Sequence, residues 1–124
     1  MRTFVLLGGV NAFLAVALGA FGAHALRERL SAEMLSIYQT GVQYHLLHAL
    51  GLLLIGLLRE RRAADQMLLR AGWLLTVGIV LFSGSLYALA VSGTRLLGAV
   101  TPFGGVCFLA GWVCVILASA RMPN

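Results

Sequence analysis

Apolar residues in this chain fall in four long runs separated by short polar breaks. The first, FVLLGGVNAFLAVALGAFGAHAL, covers residues 4–26, and the second, YHLLHALGLLLIGLL, covers 44–58. The third, MLLRAGWLLTVGIVLFSGSLYALAV, covers 67–91, and the fourth, PFGGVCFLAGWVCVILASA, covers 102–120. None alternates apolar and polar positions in units of about ten residues, as a spanning strand does. A helix needs about 20 apolar residues to cross a hydrocarbon core, and three of the runs have them. The second is short, but the uncharged residues from Tyr38 to Gln43 lengthen it. Lipid offers the backbone no hydrogen bonds, so helices satisfy it internally. The pattern predicts an all-α integral membrane protein: an antiparallel bundle of four helices, near 4–26, 32–58, 67–92 and 102–120, in one domain over residues 1–124.

The punctuation agrees with these bounds. Ser31 suits a helix N-cap, with Glu33 favourable in the first turn. Gly93 suits a helix stop. Thr101-Pro102 reads as a cap followed by proline at the first helical position. The linkers are short enough to make successive helices antiparallel neighbours. Arg2, the first run and Ala23-His24-Ala25 together imitate a cleavable secretory signal. The run is long and rich in glycine rather than a compact leucine core, which favours a retained span.

Composition strengthens the membrane assignment. The chain has 124 residues, 60% hydrophobic and 10% charged, with mean hydropathy +0.95. A soluble domain carries about 25% charged residues. The net charge of +5 comes from arginine alone. With no aromatic-interleaved basic patch, it implies membrane orientation and headgroup contact rather than nucleic acid. Four spans put Arg2, Arg59, Arg61, Arg62, Arg70 and Arg121 on one side and Arg27, Arg29 and Arg95 on the other. That excess predicts both termini inside, at the inner (plasma) membrane of a bacterium. His24, His45 and His48 then fall in the outer half.

Small residues mark how the helices meet. Gly8, Ala12, Ala15, Gly19 and Gly22 follow one face of the first helix, and Gly104, Cys107, Gly111, Cys114 and Ala118 repeat the device in the fourth. The third carries Gly78, Ser85 and Ser92, with Gly72, Thr76 and Ser83. Helices in lipid associate by close packing, and such faces let backbones approach. They imply a compact bundle, with a homodimer face as the alternative use of one of them. Cys107 and Cys114 lie about 10 Å apart along a helix, too far for a disulfide, and read as small packing residues. Asn11 lies inside a span, where an amide needs a partner. Ser83, Ser85 and Thr76 are the candidates.

The candidate chemistry is YQTGVQYHLLHALGLL, residues 38–53. His45 and His48 share a helix face with Tyr38 and Gly41, and Gln43 and Tyr44 adjoin it. Leu46, Leu50, Leu53 and Leu57 suit the lipid side. His24 lies on the same membrane side, so three imidazoles are placed to converge. The leading reading is an internal polar network pinning the first helix to the second. Metal or heme ligation is one alternative, and proton relay or quinone contact another. No carboxylate lies within these spans to complete a metal site, so neither a metal nor another cofactor is assigned.

GAFGAHAL (19–26), YQTGVQYHLLHALGLL (38–53), LFSGSLY (81–87) and TPFGGVCFLAGW (101–112) together resemble a family of small integral membrane proteins of unknown function. It includes the YgdD-like and YwdK-like bacterial inner-membrane proteins and a small eukaryotic transmembrane relative. The resemblance spans nearly the whole chain and implies a four-helix membrane protein. It implies no reaction, substrate or catalytic residue.

Three functional classes follow. The first is a non-enzymatic structural or accessory subunit that packs on a second copy or a larger membrane complex, with membrane lipid as its surroundings. The second is a binding or transport module for lipid, quinone or another small hydrophobic molecule. The third is an enzyme or a histidine-based metal or heme site. It lacks a nucleophile–base–acid set and any acidic residue in the bilayer.

Overall fold

The computed structural model describes residues 2–124. It contains four long helices, α1 (Arg2–Leu26), α2 (Ala32–Arg61), α3 (Gln66–Ser92) and α4 (Thr101–Ser119), the last preceded by a 3-10 turn at Arg95–Ala99. No strand occurs among the described residues, and each of the four spans is long and apolar enough to cross a membrane. Two are not α-helical throughout. A π turn occupies Leu18–Gly22 in α1 and another Ile79–Ser83 in α3.

Glycines and small residues set the pairing. A Cβ on Gly8 would meet Ala49 and Leu53, one on Gly19 would meet Val42, and one on Gly22 would collide with the Tyr38 hydroxyl. Those contacts run in opposite directions along α1 and α2, so the two are antiparallel. Gly51 against Leu75 and Gly41 against Tyr87 set α3 antiparallel to α2 in the same way. Gly111 against Leu75 and Gly104 against Phe82 do the same for α4 and α3. At Gly104 the added atom would strike the backbone of Phe82, so two main chains meet there beside the π turn of α3.

The central helices are α2 and α3, each 44% buried over its most apolar window, against 17% for α1 and for the span containing α4. The core is built from Phe4, Leu52, Ile55, Ala71, Leu75, Ile79 and Phe108. Phe4 fits because Gly72 has no side chain to displace it. Leu6, Phe13, Phe21, Phe103, Leu109 and Ile116 point outward, as suits a surface solvated by lipid.

Several local expectations need correction. Ser31 caps α2 through Met34 N–H at 3.1 Å, but Thr101 does not cap α4. Its hydroxyl lies 2.6 Å from that of Ser85 and ties α4 to α3 instead. α2 runs on to Arg61 rather than stopping near Leu58. Arginine side chains snorkel, so their charges leave the lipid without ending the helix, and they suit its C-terminal dipole. Leu46 and Leu53 are half-buried, Leu53 against Gly8, whereas Leu47, Leu50, Leu54, Leu57 and Leu58 form the exposed face. Asp65 is a cap not anticipated from the sequence, its Oδ1 accepting from Met67 N–H at 2.9 Å and Leu68 N–H at 3.3 Å. Gly93 closes α3 with φ 72°, the left-handed conformation that suits glycine, its N–H bonded to Leu89 O at 2.7 Å.

Candidate functional site

The buried face of α2 carries Tyr38, Gly41, His45 and His48, one above another at helical spacing. Every other helix supplies a partner to it. His45 bridges α1 and α3, with Nε2 2.9 Å from Asn11 Oδ1 and Nδ1 2.9 Å from the Tyr87 hydroxyl. His48 bonds its own helix and α4. Its Nδ1 lies 2.7 Å from Tyr44 O, and its Nε2 receives the Trp112 indole N–H at 3.0 Å.

What each partner can do assigns the protons. Asn11 Nδ2 donates to Leu7 O at 2.8 Å, which turns its Oδ1, an acceptor, toward His45. His45 therefore carries its proton on Nε2 and accepts the Tyr87 O–H at Nδ1. For His48 the logic reverses. The Tyr44 carbonyl only accepts and the indole only donates, so the proton is on Nδ1 and the lone pair on Nε2. Two histidines three residues apart thus hold opposite tautomers, and all four ring nitrogens are bonded. Both rings are buried, His45 at 4% exposure and His48 at 5%.

Aromatic packing fixes the His48 ring further. It stacks on Phe108 with centroids 3.6 Å apart and planes 8° apart, and Trp112 leans on it at 5.7 Å. Tyr38 sits toward the N-terminal end of the same face. It donates to Leu18 O at 2.7 Å, at the start of the α1 π turn, and packs on Tyr87. Ser83, at the end of the α3 π turn and fully buried, donates to Gly41 O at 2.7 Å. Each π turn thus contains a residue bonded across to α2. Such turns are uncommon and concentrate where a helix must re-aim a group.

The predicted site residues divide accordingly. Asn11, Tyr38, His45 and His48 are brought together, although Asn11 pairs with His45 rather than with Ser83, Ser85 or Thr76. Tyr44 takes part through its carbonyl, and the residue is 38% exposed, with its ring beside Phe82. Gln43 and His24 lie outside the network and are exposed. The cause is helical phase. Gln43 is two residues from His45, and His24 two from Gly22, so each points about 200° away from the packed face. The three imidazoles do not converge, and no group of three or more metal-ligand side chains forms among the described residues. Ligation by His45 or His48 would have to displace the Tyr87 hydroxyl or the Trp112 indole.

Of the small-residue faces, Gly8, Ala15, Gly104 and Gly111 are buried, whereas Ala12, Gly19, Gly22, Cys107 and Cys114 are half-buried. Cys114 packs against the core cluster, and both cysteines are free thiols. Tyr87 and Trp112 are the network members that sequence reasoning did not assign, and Ser83, a candidate partner for Asn11, bonds Gly41 O instead. The available signal was arithmetic, since two buried imidazoles need four partners and Asn11 alone supplies one.

One groove, of about 460 Å³, opens from this region toward the lipid-facing side. Its lining includes Tyr44, His48, Phe82, Phe108, Leu109 and Trp112.

A four-helix bundle with an apolar exterior and a hydrogen-bonded polar interior defines a small multi-pass membrane protein. The chain belongs to the family described as protein of unknown function (DUF423), whose model matches residues 18–105. It is 47% identical over 121 residues to the UPF0382 membrane protein YwdK of Bacillus subtilis, covering 98% of each chain. A UPF0382 membrane protein of Staphylococcus epidermidis is 47% identical over 124 residues, covering 100% of both. One from Staphylococcus aureus strain USA300 is 43% identical over the same length. No solved structure matches.

Proposed function

We propose that this chain is a non-enzymatic structural or accessory subunit of the bacterial plasma membrane, with both termini cytoplasmic. The saturation of the central network carries the reading. Each ring nitrogen of His45 and His48 is engaged, Asn11 uses both ends of its amide, and the Tyr38 and Tyr87 hydroxyls are bonded. A general base or a ligand site needs a group left open toward a substrate. This polar face spends its groups on fixing four helices to one another, which supports a rigid scaffold. Orientation rests on the six arginines at the end with both termini against three at the other. Native mass measurement in mild detergent tests the subunit reading, which expects an oligomer or a defined complex. A lone monomer in every mild detergent counts against it.

One observation favours a second reading, a binding module for a small hydrophobic molecule. The groove beside His48 is walled by aromatic rings and faces the lipid side. Mass spectrometry of molecules co-purified with the protein separates the two readings. A single species in stoichiometric amount, lost when Phe82→Ala removes one wall, supports the module, and only bulk lipid supports the scaffold.

A further inference from the structure

Two grooves meet at the arginine-rich end of the bundle. One, of about 580 Å³, follows the last turns of α2 past Leu54, Leu57 and Leu58, with Met122 and Pro123 closing its far side. The other, of about 510 Å³, lies over the link between α2 and α3 and reaches Arg121. Arg61 and Arg62 line both. An apolar trough therefore opens directly onto a cationic one, where α2 leaves the lipid.

The charges there are unequally spent. Arg62 is committed to Asp65, Nη2 to Oδ2 at 2.9 Å, and its Nη1 reaches Arg121 O at 3.4 Å. Asp65 is in turn consumed by Arg62 and by the first N–H groups of α3. Among the described residues, Arg61 and Arg121 pair with no carboxylate, and Glu60 lines neither groove. Three guanidiniums thus face one neutralised carboxylate. A free anion has no use for the leucine trough, and a neutral lipid has none for the arginines. A ligand with an acyl chain joined to an anionic headgroup fits both halves, and a phospholipid is the membrane component that supplies both. Arginine is suited to the phosphate because its planar fork binds two oxygens together.

We propose that this cleft is a binding site for an anionic phospholipid, its phosphate held by Arg61 and Arg121 and one acyl chain laid along Leu54, Leu57 and Leu58. The proposal goes beyond both functional readings above and depends on neither.

Delipidated protein in mild detergent, titrated with phosphatidylglycerol or with phosphatidylcholine of the same chains, tests it by native mass spectrometry. Phosphatidylglycerol should be retained at clearly lower concentration. Arg61→Gln with Arg121→Gln should weaken that retention by roughly fivefold for each guanidinium removed. Arg27→Gln with Arg29→Gln, an equal charge loss at the opposite end, should leave it unchanged. Glycerol phosphate, which has the headgroup chemistry without the chain, should fail to compete. Equal retention of the two lipids by the unaltered protein overturns the proposal, whether or not the variants fold. So does an equal loss in the two double variants. Competition by glycerol phosphate as strong as by the lipid makes the cleft an anion site and overturns the lipid assignment.

Discussion

Trp112 on α4 donates its indole N–H to Nε2 of His48 on α2, at 3.0 Å, across the middle of the bundle. The same imidazole stacks on Phe108, one helical turn away on α4. A single ring therefore holds the outer helix to the central one by a polar and an apolar contact together. His48 is 16 residues past the start of α2 and 13 before its end, so the contact lies near the middle of that helix.

Truncation of this pair should be costly because it orphans groups in hydrocarbon. His48→Ala is expected to lose roughly 1–3 kcal/mol, since the Trp112 N–H is left unsatisfied. Trp112→Phe keeps the ring and removes the donor, and should cost less. Denaturant titration of both single variants and the double variant reads their coupling. Strictly additive losses would show that the bond contributes nothing.

Opposite tautomers should be visible directly. Nitrogen NMR of ring-labelled protein in detergent is expected to show His48 protonated at Nδ1 and His45 at Nε2, near neutral pH. Tyr87→Phe should alter the His45 signals and leave those of His48 in place. Two histidines in the same tautomer would contradict the bonding assigned here.

The approach of α3 and α4 predicts a contrast between two glycines. Gly104→Ala drives a methyl into the Phe82 main chain, which cannot yield as a flexible side chain can. Gly84→Ala places the same methyl in open space, with nothing within 4 Å. Thermal unfolding in detergent should show a large loss for the first variant. The second should match the parent or gain slightly, since alanine favours a helix by about 1 kcal/mol over glycine. Equal stability of the two would remove the close backbone contact.

Asp65 gives a pH dependence outside the membrane. Burial by itself would raise its pKa. The bond from Arg62 and the N–H groups of Leu68 and Met67 outweigh it and hold the carboxyl below the usual range. A carboxyl lowered in the folded state adds stability that is complete above its unfolded value, about 3.9. That stability disappears as pH falls through the lower folded value. Asp65→Asn should therefore flatten the acid limb of the stability profile while lowering stability at neutral pH. An unchanged acid limb would place the group that takes up the proton elsewhere.

Topology follows from the arginines. Reporter fusions after Arg62 and at Asn124 should read as cytoplasmic, and one between Arg27 and Ser36 as external. Reversal of all three would refute the orientation.

Residue order alone decided a good deal. Three runs near 20 apolar residues, and a shorter one lengthened by the uncharged residues from Tyr38 to Gln43, dictate four helices, because in lipid a helix alone satisfies a lone backbone segment. Helical phase placed Gly8, Ala15, Gly104 and Gly111 on packed faces and turned His45 and His48 inward. Local chemistry marked Ser31 and Gly93 as ends. These properties depend on neighbours within a few residues, which the chain displays in order.

The partners were decided only by the tertiary structure. Nothing local distinguishes His45 as Asn11's partner from Ser83, since the choice depends on helix rotation and on the two π turns. Nor does composition reveal that Thr101 reaches Ser85 rather than its own helix end. A shared membrane side suggested that His24 belonged with His45 and His48, and adjacency suggested the same of Gln43, but a helix turns 100° per residue and sets them on other faces. Tautomers, the His48–Phe108 stack and the meeting of the two grooves at Arg61 and Arg62 each arise from residues far apart in the chain. Their positions follow from how closely four helices can pack, and glycines at the crossings set that distance.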